Sequence, residues 1–142
     1  MWKLINLIQW ILICLAIIVS GILATIALLI SKRFSFWIAK NIWSRLLFAI
    51  VFSSLKTYNK DRISHLKEPV IFCANHQSMY DIPALFMSLN DPIHFIAKKE
   101  LKKIPFIGWY VSAAGMIFID RSNTEKAMES MKKAGKLILS GR

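Results

Sequence analysis

The chain has 142 residues, enough for one small domain, and 56% of them are hydrophobic. Mean hydropathy is +0.48, on the membrane-protein side of ordinary soluble composition. The formal charge of +11 is unevenly placed: residues 1–60 carry seven Lys or Arg and no acid, and the first carboxylate is Asp61. Residues 61–142 carry twelve basic and eight acidic side chains. Positive charge concentrated beside the most apolar part suits an anionic lipid surface and speaks against nucleic acid as partner. The two cysteines, Cys14 and Cys73, and three scattered histidines form neither a disulfide framework nor a zinc spacing.

Residues 4–31 contain no charge over 28 positions. As a helix this run would measure roughly 40 Å, beyond the ~30 Å hydrocarbon thickness. A cleavable signal has an apolar region of only about 7–15 residues, so a retained anchor is expected. Lys32 and Arg33 follow it directly, which favours a cytoplasmic location for everything downstream. Over residues 34–55 the wheel gathers Arg33, Trp37, Lys40, Asn41, Ser44 and Arg45 within about 140° of arc. The remaining surface is apolar, as in an interfacial helix; a second spanning helix is the alternative. The expected layout is therefore a membrane-anchoring helix pair over residues 1–58 and an α/β part over residues 59–142.

A polar connector over residues 56–68 includes His65, expected to be solvated. Residues 70–74, Val-Ile-Phe-Cys-Ala, read as a buried strand. A helix is expected over residues 82–89, a turn at Asn90-Asp91-Pro92, and a second strand over residues 93–97 with His94 at its start. Lys98, Lys99, Lys102 and Lys103 then read as a short solvated helix, or with Lys98 at the strand end facing a phosphate. Residues 105–114 form an apolar helix with Pro105 in its first turn, and residues 116–119 a third strand. Ser122 with Glu125 makes a capping box for a last helix from Asn123 to about Ser140. Its inner stripe would be Met128, Met131, Ala134, Gly135 and Ile138.

Between the first strand and its helix lies Asn75-His76-Gln77-Ser78-Met79-Tyr80-Asp81. Strand-to-helix turns are where open α/β sheets place their ligand sites. In one helix His76 and Asp81 would point about 140° apart, but with His76 in the turn and Asp81 in the first helical turn they can touch. A carboxylate on one imidazole nitrogen fixes the tautomer and leaves the other as a base. Two structural readings stand beside this: Asp81 as N-cap, or Ser78 as cap with Asp81 closing a capping box. Arg121, at the end of the third strand, could equally serve in an ion pair with Asp120 or Glu125.

The chain resembles the glycerolipid acyltransferases, the family of 1-acylglycerol-3-phosphate acyltransferase. Four blocks within residues 70–121 carry the resemblance: Asn75-His76-x-Ser78-x-x-Asp81, Phe95-Ile96-Ala97-Lys98-Lys99-Glu100-Leu101, Ile104-Pro105-Phe106-Ile107-Gly108, and Gly115-Met116-Ile117-Phe118-Ile119-Asp120-Arg121. It implies an incomplete mixed sheet with packed helices behind the membrane helices. It also implies acyl transfer to lysophosphatidate from acyl-CoA or acyl carrier protein, with no further cofactor and no metal. His76 and Asp81 become the catalytic pair, and Asn75, Ser78, Lys98 and Arg121 the substrate-binding residues. The family's Glu-Gly-Thr-Arg block has no counterpart before Arg142, so a C-terminally truncated member is expected, or a non-catalytic membrane-anchored remnant.

Overall fold

The computed structural model describes residues 2–64 and 70–139. The expectations for His65, Glu68 and Ser140 lie outside the described residues. Helix α1 runs from Trp2 to Ala27. Among the described residues it is the one helix long and apolar enough to cross a membrane. Its buried positions are small: Ala16, Ser20, Ala24 and Ala27 recur at helical spacing and form one stripe. Large side chains such as Leu15, Val19, Ile22 and Ile26 cover the rest and are exposed.

After a turn at Leu28–Ser31, Ser31 caps helix α2 (Lys32–Ile38), its hydroxyl accepting from the Phe34 amide at 3.0 Å. The helix continues as a π-turn, Ala39–Ser44, into α3 (Arg45–Ile50). The buried Ser44 hydroxyl donates to the Ala39 carbonyl at 2.7 Å, inside the widened turn. The single helix expected over residues 34–55 is thus interrupted and ends by residue 50. It folds back along α1. Ile38 packs on Ala24 and Ala27, the buried Ser35 hydroxyl donates to the Ala24 carbonyl, and Gln9 Nε2 donates to the Ile50 carbonyl at 2.9 Å. Small residues on α1 permit this close approach.

Helix α4 is one turn, Asp61–Ser64. Residues 70–74 do not form the expected strand: they are irregular, and Val70, Ile71 and Phe72 are 43%, 70% and 46% exposed. A strand needs a neighbour for its backbone ladder, and β-forming side chains supply none. Helix α5, Asp81–Ser88, starts one residue earlier than expected. Phe86 is the centre of the core, with ring centroids 5.5 Å from Phe36, 5.8 Å from Trp43 and 5.5 Å from Phe95. The α2–α3 segment is therefore packed directly on the helix that follows the His76 turn.

Strand β1 (Ile96–Lys98) pairs in parallel with β2 (Ile117–Ile119), in the register Ile96↔Ile117 and Lys98↔Ile119. Among the described residues the sheet has these two strands, both parallel, rather than the mixed set of three that the sequence suggests. The crossover is a 3₁₀ turn, Lys99–Lys103, and helix α6, Ile107–Ala113. Pro105 stands before that helix instead of in its first turn. The Ile107 amide donates to the Pro105 carbonyl at 2.7 Å with Phe106 at φ 64° and ψ −52°, which is a γ-turn of the rarer, strained hand.

Helix α7, Thr124–Leu139, lies against β2 with Ala134 buried. Asn123 rather than Ser122 caps it, its Oδ1 accepting from the Lys126 amide at 2.9 Å. The Ser122 hydroxyl is engaged by Asp120. Met128 and Met131, expected to face inward, are exposed. Two strands about 5 Å apart are too narrow to cover a helix of some 24 Å.

Candidate active site

The turn that begins α5 is built around one carboxylate. Asp81 Oδ2 lies 2.9 Å from His76 Nδ1 and accepts the Gln77 amide at 2.7 Å and the Ser78 amide at 2.9 Å. The Asp81 amide in turn donates to the Ser78 carbonyl at 3.1 Å, and the Ser78 hydroxyl accepts the Tyr80 amide at 3.2 Å. The His–Asp contact is therefore made, whereas of the capping box only the Ser78 amide to Asp81 half is present: Tyr80 stands at the N-cap without a side-chain cap bond, so neither Ser78 nor Asp81 caps the helix. Pro83 is the third helical residue, where an intrahelical N–H is not yet required, and it is fully buried.

These donors set the electrostatics. The Ser78 amide, then His76, then the Gln77 amide hold the Asp81 carboxyl below the ordinary carboxylate range. An ionised Asp81 accepts a proton donor at Nδ1, so the neutral imidazole carries its hydrogen there and its lone pair on Nε2. Nε2 makes no hydrogen bond among the described residues, and the His76 side chain is 60% exposed against 33% for Asp81. The turn thus holds one imidazole nitrogen against Asp81 and leaves the other facing solvent.

Of the other residues singled out by sequence, Ser78 is in the same turn and Asn75 precedes it, exposed. Lys98 and Arg121 stand at the ends of paired strands, Lys98 opposite Ile119. No hydrogen bond or ion pair joins either to residues 75–81 among the described residues. Lys98 lies 3.8 Å from Glu100, both exposed. Arg121 pairs with neither Asp120 nor Glu125. Asp120 instead binds Lys99 at 2.6 Å through Oδ2, while its Oδ1 accepts the Ser122 amide at 3.0 Å and the Ser122 hydroxyl at 2.6 Å. Lys99, more than Ser122, keeps the Asp120 carboxyl well below the usual range, and Asp120 raises the Lys99 amine. This tie between the two strand ends fixes the turn carrying Arg121, whose guanidinium makes no ion pair among the described residues.

Tyr80 is a contribution that the motif spacing does not reveal. Its ring meets Phe48 of α3 edge-on at 5.7 Å, and its buried hydroxyl has no hydrogen-bond partner among the described residues. The His76 turn and the helix after it are thereby seated on the N-terminal hairpin through Tyr80 on Phe48 and Phe86 on Phe36 and Trp43.

The sequence profile of the acyltransferase family matches residues 54–142, which contain this turn and both strands. The chain belongs to the acyltransferase family. Among characterised sequences it is similar to the 1-acyl-sn-glycerol-3-phosphate acyltransferase of Saccharomyces cerevisiae, 29% identical over 82% of this chain and 37% of the yeast protein. The enzyme of the same name from Helicobacter pylori is 40% identical over 60% of this chain and 36% of that protein. A lyso-ornithine lipid O-acyltransferase of Pseudomonas aeruginosa is 32% identical over 50% of this chain and 27% of its own length. This acyltransferase-family chain thus spans between 27% and 37% of the length of these three relatives. No solved structure matches it.

Proposed function

We propose that the protein acts in acyl transfer from a thioester, acyl-CoA or acyl carrier protein, to the free hydroxyl of 1-acylglycerol 3-phosphate. The observation that carries this reading is the 2.9 Å contact between His76 Nδ1 and Asp81. His76 Nε2 takes the proton of the glycerol hydroxyl as its oxygen attacks the thioester carbonyl; the C–O bond forms, the C–S bond breaks, and the proton passes to the departing thiolate. Asp81 orients the ring and stabilises the transient imidazolium. Lys98 and Arg121 hold the acceptor phosphate, Arg121 through its planar donor fork, while Asn75 and Ser78 line the approach to His76. A thioester is already activated, so a positioned base suffices for the chemistry.

In this reading residues 1–58 anchor the protein in the membrane, with the site on the cytoplasmic side, and residues 59–142 contribute to the acyltransferase part. Support comes from the exposed apolar surface of α1 and from Lys32 and Arg33 directly after it. A second reading, a membrane-anchored protein without turnover, is favoured by residues 70–72 ahead of the His76 turn, which are exposed and belong to no strand among the described residues.

Thiol release from acyl-CoA and from acyl carrier protein thioester, measured in lipid vesicles with lysophosphatidate or lyso-ornithine lipid, tests the proposal. Lysophosphatidate-dependent release is expected. Release with lyso-ornithine lipid alone would overturn the acceptor, and no release with any pair would favour the protein without turnover.

A further inference from the structure

The crossover between β1 and β2 carries a surface that the catalytic reading does not use. Lys102 and Lys103 are exposed, and no acidic residue occurs between Leu101 and Ile119. Lys98 and Lys99 are engaged by Glu100 and Asp120, whereas Lys102 and Lys103 make no ion pair among the described residues. Beside these lysines Ile104 is 42% and Trp109 58% exposed. Exposed tryptophan next to lysine is the pairing found where a protein meets the headgroup region of a bilayer.

The backbone is strained to hold this surface against α1. Phe106 sits at positive φ in the γ-turn, and its Cβ and carbonyl lie so near Gly21 that a Cβ added to that glycine would be 3.5 Å from the Phe106 Cβ. The Phe106 ring meets the Trp109 ring edge-on at 4.8 Å. From Gly21 of α1 to the exposed indole there is thus one intervening side chain. Gly108 contributes by closeness too: a Cβ there would come within 2.4 Å of the Lys102 carbonyl, so the lysine turn is packed flat on α6.

We propose that Lys102, Lys103, Ile104 and Trp109 form a second membrane contact, docking on the anionic headgroups of the bilayer that holds α1. The occupant follows from charge complementarity and from continuity with the apolar surface of α1. It rests on the reading of α1 as lipid-embedded. The lysines would meet lipid phosphates as point charges while Ile104 and Trp109 enter the interface, fixing the height of the site above the lipid plane.

Hydrogen exchange of the full chain in nanodiscs, phosphatidylcholine alone or with phosphatidylglycerol, tests this. Amides from Leu101 to Tyr110 should exchange about tenfold more slowly in the anionic discs, as attraction of two lysines to such a surface implies. The effect should disappear in Lys102→Glu/Lys103→Glu and fade toward ~1 M salt. Equal exchange in the two discs would overturn the proposal. The exposed native cysteines separate the underlying reading: a charged maleimide should label Cys73 and spare Cys14 of α1 in either disc. Labelling of both would overturn the embedding of α1 and the bilayer contact with it. Blocked Cys14 with equal exchange would overturn the second contact alone.

Discussion

Lys40 Nζ donates to the carbonyl of Leu89 at 2.5 Å and lies 3.3 Å from Asn90 Oδ1. A cation on the π-turn of the N-terminal hairpin thus closes the C-terminal end of the helix that Asp81 begins, where the helix dipole favours positive charge. The contact joins opposite ends of one relay: hairpin, α5, and the His76 turn.

Replacing Lys40 with Met should keep the packing of its stem and remove this cap. A loss of about 1–2 kcal/mol in stability is expected, as for a charge-assisted hydrogen bond at a helix end. Thermal unfolding measured in detergent or lipid at constant salt checks it. An unchanged midpoint would show that the hairpin and α5 are held by the Phe86 cluster alone.

The Asp81 carboxyl, held low by the Ser78 amide, His76 and the Gln77 amide, makes stability depend on pH. A depressed folded pKa contributes stability that is present above the ordinary value of 3.8 and is lost as pH falls through the folded value. The stability difference between wild type and Asp81→Asn should therefore be full at pH 6, shrink below about pH 4 and disappear at still lower pH. A difference independent of pH would mean that Asp81 acts only by shape.

The Lys99–Asp120 tie should behave likewise at both ends of the scale. Asp120 is depressed, so its contribution is lost as pH falls below the carboxylate range; Lys99 is raised, so its contribution is lost as pH rises through its folded value above 10.5. Between these limits a cycle of Lys99→Met and Asp120→Asn should show coupling, which approximately 1 M salt would weaken. Additive effects at pH 7 would leave no role for the pair in shaping the Arg121 turn.

Gly108→Ala should be costly, because the new methyl would meet the Lys102 and Leu101 carbonyls at 2.4 and 2.7 Å. Both are backbone atoms with little freedom to retreat. A destabilisation of about 1–3 kcal/mol is expected, with a lowered melting temperature. Full stability would show that the 3₁₀ turn can lift away from α6.

The contact between His76 and Asp81 was legible in the sequence because it is local: both residues lie in one turn, and a carboxylate in a first helical turn reaches back to preceding groups. The long α1 was legible from its missing charges and β2 from its Ile-Phe-Ile run, whereas the strand expected over residues 93–97 forms only as β1, Ile96–Lys98. The strand over residues 70–74 was misread because composition records what a strand would bury, not whether a partner edge is present. Lys98 and Lys99 could not be ranked from sequence, since one step along a strand end reverses the face to which a side chain points. Ser122 looked like the cap of α7, but Asp120 outcompetes the helix for its hydroxyl, and Asn123 takes over. The π-turn packs against α1 and α5, and the γ-turn places Phe106 beside Gly21 of α1, contacts between distant segments that no local pattern encodes.

Acyl transfer to lysophosphatidate by His76→Ala, compared with wild type in the same vesicles, is the most direct measurement of whether His76 is the base. A fall of about 10²–10⁴-fold in turnover is expected, with the melting temperature and vesicle association retained. More than about a tenth of wild-type turnover in His76→Ala would contradict the base assignment, because a positioned base is worth far more than that.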